Sequence, residues 1–418
     1  MCMKKYYVHI FLIFVGIGFY FLNNVQRVAV PGPIFDVLQS ELQVSAPYIT
    51  ALASVFMYVY AVNQLFVGLM VDKYGGLRVI AFGAVIFCIG SVLFPLSKSI
   101  WMLYLSRILV GIGAGTFYLS MVKEIKKCFA DKNFGIILSI LFFVGYVGGI
   151  LAQAPFVILV DNIGWRPAME IFGFSALIFT VLFLIGVKTF SHNPVNYKIH
   201  IGFEPFKLAF KNKHNINIFF FAALNFGLYY VILTVIGKKF LEDFTMISSA
   251  NAAWFLSVSA VISSFSGMGV AALSRIFHGK KVIFLQICAS VGFFVFLSLL
   301  LCVIFNFKNP MIGLFFCLLA PGASMSPILV PLIHQTNPYE ITGTTVSVMT
   351  CFFYVAVGVL GNIVGVLMNV FPPVMNSSKV LVYGQKSYIL VFALLFFMSA
   401  VELYNAFRLK DSIKKEAL

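Results

Sequence analysis

Long apolar runs separated by short polar turns make up most of the chain. A helix that spans a bilayer needs ~20 predominantly apolar residues, and each run reaches that length when it is read as a helix. The pattern predicts an all-α integral membrane protein with twelve transmembrane helices. In the first half they cover about residues 6–30, 48–71, 79–96, 100–127 and 134–160, and a sixth ends near 187. In the second half they cover about residues 216–237, 250–272, 282–305, 311–334, 341–370 and 387–407.

The longest polar interval, residues 188–214, divides the chain into two parts with six predicted helices each. The interval is basic and has no core-forming pattern, and its phenylalanines are typical of a segment that lies at a membrane surface. We therefore expect an N-terminal six-helix bundle in residues 1–187, a cytoplasmic linker in 188–214 and a C-terminal six-helix bundle in 215–418.

Three shorter polar segments are predicted to face water. Residues 34–47, which include two acids, form an external connection between the first two helices. Residues 123–127 form a solvated cytoplasmic turn after the fourth helix. Lys238 and Lys239 follow directly after the seventh apolar run, so we expect them at or near the outer face.

Composition supports a membrane protein, and the positions of the basic residues argue against a nucleic-acid-binding one. Hydrophobic residues make up 61% and charged residues 10% of the chain, and the mean hydropathy is +1.00, whereas soluble domains carry ~25% charged residues. The net charge of +15 comes mainly from lysines and arginines in loops that the helix order places on one side. This is the positive-inside bias of membrane proteins, with both termini cytoplasmic and the lipid bilayer as partner.

No pattern for catalysis or cofactor binding is present in the sequence. It contains no GxxxxGK[ST] phosphate-binding loop, and no interval is long enough for an ATPase domain. Its six histidines have no metal-ligand spacing, and its seven cysteines form no CxxC pair. We expect no enzyme activity, no catalytic residue, no cofactor and no metal site.

A compact loop between the second and third predicted helices carries the most informative motif. It contains Gly68, Asp72, Lys73, Gly75 and Arg78 within eleven positions. The first glycine can admit a close helix, the glycine at the turn permits a tight reversal, and the acid can cap a helix or pair with the last base. The spacing G-x-x-x-D-[RK]-x-G resembles the loop motif of the major facilitator superfamily, although two basic residues common after the turn glycine are absent.

Further stretches resemble the same superfamily. Arg107 with Gly111 and Gly113 is similar to the superfamily's fourth-helix motif R-x-x-x-G-x-G. In the second half, residues 269–281 resemble a degenerate repeat of the loop motif. The resemblance implies two six-helix pseudo-repeat bundles around a central cavity, transport by alternating access, and a role for the 68–78 loop in conformational gating.

Arg27 is the sharpest chemical feature, because a charge inside a spanning helix is expensive and usually faces a cavity. Tyr20, Asn23, Asn24 and Arg27 share one helix face at spacings of three and four. The guanidinium fork suits carboxylate or phosphate, so Arg27 either binds an anionic group of a solute, with Asn24 beside it, or has a structural role, as an anchor at the interface or in an ion pair within the protein.

Residues 24–27, together with Tyr60 and Gln64, resemble the organic anion:cation symporter branch of the superfamily. That resemblance implies a small organic anion as solute. In that branch, acids that would carry protons often stand where this chain has Gln26 and Ala114, so proton coupling by that route is not implied.

The remaining candidates are read two ways, as solute contacts or as helix packing. Arg107 either acts in coupling or solute binding or forms a packing ion pair, for example with Glu170. The other candidates for solute contact are polar residues on predicted helices: Tyr118, Gln153, Asn225, Tyr229, Tyr354 and Asn362.

The sequence as a whole predicts a secondary active transporter for a small, anionic organic solute, moved alone or with a proton or a sodium ion. Two alternatives stay open: an efflux transporter of amphipathic drugs or siderophores, and a non-transporting receptor or assembly factor on the same scaffold. Composition favours a bacterial inner membrane, and such folds commonly work as monomers.

Overall fold

The computed structural model describes residues 2–129, 131–189, 204–276, 281–322, 325–376 and 380–411, and nearly all of them are helical. The first helices are α1 (Cys2–Ala29), α2 (Phe35–Leu42), α3 (Ala46–Tyr74), α4 (Gly76–Leu96), α5 (Ile100–Gly115), α6 (Phe117–Cys128), α7 (Asp131–Leu151), α8 (Ala154–Ile163) and α9 (Trp165–Thr189). The later helices are α10 (Glu204–Lys211), α11 (Lys213–Val231), α12 (Gly237–Thr245), α13 (Ser249–Ile276), α14 (Val282–Ile304), α15 (Leu314–Leu319), α16 (Ser326–Thr336), α17 (Tyr339–Met368) and α18 (Gln385–Arg408).

Short irregular elements connect or interrupt these helices. There are 3-10 turns at Gly32–Ile34 and Pro310–Gly313, and a π-helical turn at Ile232–Ile236 lies between α11 and α12. Two strands, β1 (Val374–Met375) and β2 (Leu381–Val382), form a small antiparallel hairpin before α18.

The predicted all-α membrane fold is confirmed. In the part of the chain that the structure describes, nine helical stretches are long and apolar enough to cross a membrane. A tenth is formed by α7 and α8 if that pair, bent by 46°, counts as one span. The prediction of one continuous fifth helix over 134–160 was therefore wrong, because the chain bends at Ala152 and Gln153.

The predicted tenth helix is also interrupted. We expected one helix over 311–334, but α15 ends at Leu319 and α16 begins at Ser326. Pro321 and Gly322 follow α15, and both residue types weaken a helix, since proline has no N–H to donate and glycine has the largest backbone entropy to lose. Residues 323–324, in the same interruption, lie outside the described part.

The seventh span is longer than predicted. The helical path continues through the π turn into α12 and ends at Thr245, so Lys238 and Lys239 lie inside it. They are 3% and 0% exposed, so both lysines are buried inside the protein, and their place at or near the outer face stays a prediction. Acids stand four residues later, at Glu242 and Asp243, and an i, i+4 acid can neutralise a lysine on the same helix face.

The predicted external connection over 34–47 is also more ordered than expected. It contains α2, and Phe35, Leu38 and Gln39 of that helix are buried. The short helix is amphipathic, so it covers apolar surface instead of facing water throughout.

The chain forms two compact units. The first contains Met1–Ile34 and Val55–Ile201, and the second contains Phe35–Ser54 and Gly202–Leu418. In the first unit α1 packs against α7 and α9, and α4 packs against α5 and α9. In the second unit α11 packs against α17 and α18, and α14 packs against α18. Most of the predicted linker, residues 190–203, lies outside the described residues.

A glycine lets α4 and α5 pack closely together in the first unit. A Cβ on Gly113 of α5 would lie 2.4 Å from the carbonyl oxygen of Gly83 on α4. Real Cβ atoms do not approach a backbone oxygen so closely, so α5 can lie this near to α4 only because residue 113 has no side chain.

Candidate functional site

The polar end of α1 forms a hydrogen-bonded group in the first unit. Arg27 Nη2 donates to Asn24 Oδ1 at 2.5 Å, and Asn24 Nδ2 donates to the carbonyl oxygen of Tyr20 at 2.8 Å. Both residues were predicted as solute contacts. Their spacing on one helix face produces the contact, which holds the half-buried guanidinium of Arg27 in one orientation.

Arg107 of α5 reaches the same turn of α1. Its side chain is fully buried, and its Nη1 donates to the carbonyl oxygen of Gln26 at 2.9 Å. Its guanidinium carbon lies 4.5 Å from the centre of the Phe56 ring, a cation–π contact. The guanidinium groups of Arg27 and Arg107 therefore both donate hydrogen bonds to residues in one turn of α1.

Two buried amides in this turn were missed as site residues. Asn23 and Gln26 are 0% and 1% exposed, and neither side-chain amide has a hydrogen-bond partner among the described residues. Most buried polar groups in proteins are hydrogen-bonded, so each exception needs an explanation, such as a water or a ligand. Asn23 stands four residues before Arg27 on the predicted polar face, and that spacing was the available signal.

Helix α7 lies close to the polar end of α1. A Cβ on Gly145 would lie 2.4 Å from the Tyr20 ring and 2.9 Å from Asn24 Nδ2, so only glycine fits there. Gly148, three residues later, also lies against α1, because a Cβ there would be 2.6 Å from the carbonyl oxygen of Phe21. Tyr118, another predicted contact, has its ring centre 6.1 Å from that of Tyr20.

The predicted contacts on α3 hold helices together. Gln64 Nε2 donates to the carbonyl oxygen of Gly115 at 3.2 Å. The Tyr60 ring lies 5.7 Å from the Phe56 ring, the same ring that Arg107 covers. Gln153, also predicted, is fully buried at the bend between α7 and α8.

The candidates of the second unit are distributed along α11 and α17. Asn225 Nδ2 donates to Glu402 Oε1 of α18 at 2.8 Å, and Ser259 Oγ donates to the Tyr229 hydroxyl at 3.2 Å. The Tyr354 ring packs edge-on against the Phe226 ring, with 5.5 Å between the ring centres. Asn362 lies half-buried on α17.

A buried ion network, which the sequence did not reveal, lies in the second unit. Lys239 Nζ lies 2.7 Å from Asp36 Oδ1 of α2 and 2.8 Å from Asp243 Oδ1. Asp243 Oδ2 also accepts hydrogen bonds from the Tyr383 backbone N–H and the Tyr388 hydroxyl, at 3.0 and 2.8 Å. The acid is therefore neutralised and fully hydrogen-bonded.

Tyr383 extends this network to the start of α3. Its hydroxyl accepts hydrogen bonds from Gln39 Nε2 at 2.7 Å and from the Ala46 backbone N–H at 3.1 Å. Burial raises the pKa of the Tyr383 phenol, so it stays neutral and can keep these partners at physiological pH.

The turn of the predicted gating loop is present. Gly75 has φ 84°, a conformation that favours glycine, between α3 and α4. No atom of the described residues lies within 4 Å of a Cβ placed on Gly68, so the close helix predicted there is not found among them. The side chain of Asp72 lies outside the described residues, and those of Lys73 and Arg78 are exposed.

Glu124 ties this loop to α6. It is 2% exposed, which corrects its predicted place in a solvated turn. It accepts a hydrogen bond from the Gly76 backbone N–H at 2.9 Å, lies 2.7 Å from Lys127 Nζ and lies 3.1 Å from His9 Nε2. A carboxylate at the first N–H of α4 is favourable because that end of a helix is positive.

No group of three or more His, Cys, Asp or Glu that could hold a metal ion occurs in the described ranges.

The family model of the Major Facilitator Superfamily matches residues 10–362. The probable sulfoacetate transporter SauU of Cupriavidus necator is 25% identical over 171 residues, which are 40% of this chain and 39% of that protein. Probable anion transporter 4, chloroplastic, of Oryza sativa subsp. japonica is 28% identical over 156 residues, 37% of this chain and 26% of that protein.

These matches span well under half the length of either curated relative. Among solved structures, a bacterial homologue of the human lysosomal transporter Spinster, in an inward-facing and unoccupied conformation, has a TM-score of 0.73. Its sequence is 16% identical, and the alignment covers 98% of this chain and 99% of that one. At this identity the likeness shows the fold.

Proposed function

The chain belongs to the Major Facilitator Superfamily, and from this we propose that it is a secondary active transporter of a small organic anion that works by alternating access. The observation that carries the proposal is that Arg27 and Arg107 both bond to one turn of α1. The names of relatives, a probable sulfoacetate transporter and an anion transporter, support the same class of solute.

The chemistry of this turn suits an anionic headgroup. A guanidinium group presents N–H donors in a planar fork that matches carboxylate, sulfonate or phosphate oxygens. Asn23 and Gln26 add two buried amides, each with a donor and an acceptor that have no partner among the described residues. The charged group of an anion could accept hydrogen bonds from the guanidinium group of Arg27, and a further polar group on the same anion could hydrogen-bond to the two amides.

Two of the predicted contacts take supporting positions in this proposal. Asn24 orients Arg27 through its side-chain oxygen. Gln64 positions α3 against α5, because its amide nitrogen already donates to Gly115.

We propose that the transporter is a multi-pass monomer of a bacterial inner membrane with both termini cytoplasmic. The loop from Gly68 to Arg78 would act in conformational gating. Two observations support a defined shape for this loop: the positive φ of Gly75 and the hydrogen bond from Gly76 to Glu124.

Purified protein, wild type and Arg27→Ala, should be screened by thermal shift and by uptake into proteoliposomes. The probes are sulfoacetate, inorganic phosphate, small carboxylates and, for contrast, amphipathic cations. Loss of a charge-assisted hydrogen bond costs about 1.5–3 kcal/mol, so we expect an anion to bind about 10- to 100-fold more weakly to Arg27→Ala. Arg27→Lys should bind with intermediate affinity, because it keeps the charge without the fork.

Lys98→Ala, which removes an exposed base, is the matched control and should bind like wild type. Equal anion affinity in wild type and Arg27→Ala would show that Arg27 only anchors the helix. Transport of amphipathic cations alone would support efflux. Absence of binding and flux for every probe would favour a non-transporting receptor.

A further inference from the structure

A buried carboxylate lies beside a cavity in the second unit, away from the network of Lys239. Glu402 of α18 is 3% exposed and accepts a hydrogen bond from Asn225 of α11 at 2.8 Å. Both residues line a cavity of about 350 Å³, whose other walls are mainly apolar side chains from α13, α14 and α15. Glu402 stands six residues before the end of its helix, ~9 Å along the axis.

The interruption of the tenth predicted helix lies on the same cavity. Pro321 and Gly322, which follow α15, are among its lining residues. A Cβ on Gly322 would lie 3.1 Å from Asn225 Nδ2, so the backbone that follows α15 comes close to the amide that holds Glu402. An interruption of an α-helix at membrane depth is tolerated where the backbone is buried or lines a cavity, and in transporters such breaks mark ion sites.

No cation neutralises Glu402 in the described part of the chain. Among the described residues, the other titratable groups that line its cavity are the Tyr229 phenol of α11 and the Cys288 thiol of α14. Neither is a base, and no ion pair to Glu402 occurs among the described residues. Ionisable groups placed this way inside membrane proteins mark proton relays and ion paths, because the charge is expensive to hold there.

The donor set fits a proton better than a metal cation. A sodium ion needs several oxygen ligands, whereas Asn225 turns an N–H donor towards the carboxyl group. A carboxyl group takes up and releases a proton with no other ligand. The amide hydrogen bond then holds it in the same place in both states.

We propose that Glu402, held by Asn225 at the break after α15, binds the proton that drives solute uptake. The inference rests on the proposed function, because a coupled proton requires a transported solute. It also supplies a proton carrier in a chain that has Gln26 and Ala114 where the related symporters often have acids.

The first test needs no solute. Infrared difference spectra of reconstituted wild type, titrated over about pH 5 to about pH 9, should contain a carboxyl C=O band that Glu402→Gln removes. Asn225→Leu should keep the band and move it to higher frequency, because the carbonyl loses a hydrogen bond. Glu204→Gln, which changes an exposed acid, should leave it unchanged. The proposal is overturned if Glu402→Gln removes no titrating band, or if the intensity of the band changes with sodium concentration instead of with pH.

The second test uses the anion that the uptake screen identifies. A gradient of one pH unit across the vesicle membrane is about a tenfold ratio of proton concentrations. If one proton is coupled to one anion, wild-type vesicles should accumulate the anion inside up to about that ratio. Glu402→Gln should lose this accumulation and keep counterflow exchange of the anion, which needs no net proton movement.

The outcomes separate the two proposals. Loss of counterflow as well as accumulation in Glu402→Gln would make Glu402 part of solute movement itself and overturn the coupling role. Wild-type uptake that ignores the pH gradient would also overturn it, with anion transport left standing. Failure of all anion uptake defeats the proposed function, and the infrared titration still decides whether Glu402 is a proton site.

Discussion

Lys239→Met should be the most damaging single substitution in the ion network of the second unit. The side chain is 0% exposed, and its Nζ lies within 2.8 Å of two carboxylates, those of Asp36 and Asp243. Methionine has a similar length and no charge. The substitution therefore leaves two acids facing each other without the cation between them.

The magnitude follows from burial. Removal of one partner of a buried ion pair costs about 3–5 kcal/mol, because the remaining charge stays buried and unneutralised. The entropy of unfolding of a 418-residue chain is about 0.9 kcal/mol per kelvin near its midpoint. We therefore expect Lys239→Met to lower Tm by about 3–6 °C.

Thermal unfolding in detergent at one fixed scan rate measures this, because membrane proteins often unfold irreversibly. Lys308→Met is the matched control, since Lys308 is exposed, and its effect should stay within about 0.5 kcal/mol. Asp36→Asn should cost less than Lys239→Met, because Asp36 is partly exposed and the contact between Lys239 and Asp243 remains.

A double variant gives the sharpest check. Lys239→Met combined with Asp243→Asn removes both charges of one pair, so it should be more stable than Lys239→Met alone. If the two losses simply add, or if Lys239→Met is as stable as Lys308→Met, the network does not stabilise this unit and the reasoning is refuted.

Two further predictions concern the first unit. Gly113→Ala should destabilise the protein by about 1–3 kcal/mol, since the added Cβ would lie 2.4 Å from a carbonyl oxygen of α4. The control is Gly343→Ala, whose added Cβ would have no atom of the described residues within 4 Å, so it should be neutral or stabilising. Equal shifts of the melting temperature in the two variants would contradict this prediction. Glu124→Gln should cost about 1–3 kcal/mol, because it removes the charge that faces the Gly76 N–H, whereas the exposed Glu204→Gln should change the melting temperature little.

The periodic part of the fold was predictable because it depends on local pattern. Bilayer-spanning helices must satisfy their own backbone hydrogen bonds, so a long apolar run leaves few alternatives. The reversal at Gly75 was predictable for a similar reason, since a glycine between two such runs favours the positive φ found there. On α1, a spacing of three residues placed Asn24 against Arg27 as expected.

Long-range pairing was not predictable from local pattern. Lys239 follows an apolar run, and a base in that position usually indicates the end of a membrane-spanning helix. Its partner Asp36 is about 200 positions earlier in the sequence, so the ion pair could not be inferred from local pattern. Acids four residues after Lys238 and Lys239 were the available sign that the helix continues. Asn225 was identified as a polar candidate, but its partner Glu402 lies on another helix far along the sequence.

Buried acids in this protein differ in how they are stabilised, and the difference separates structural from functional roles. Asp243 has the cation of Lys239 and two hydrogen-bond donors. Glu124 has the cation of Lys127, a histidine and a helix N–H. Glu402 has an amide hydrogen bond and no cation in the described part of the chain. The fold therefore neutralises buried carboxylates where it needs stability. An acid left without a cation, beside a cavity and a broken helix, is suited to gain and lose a proton.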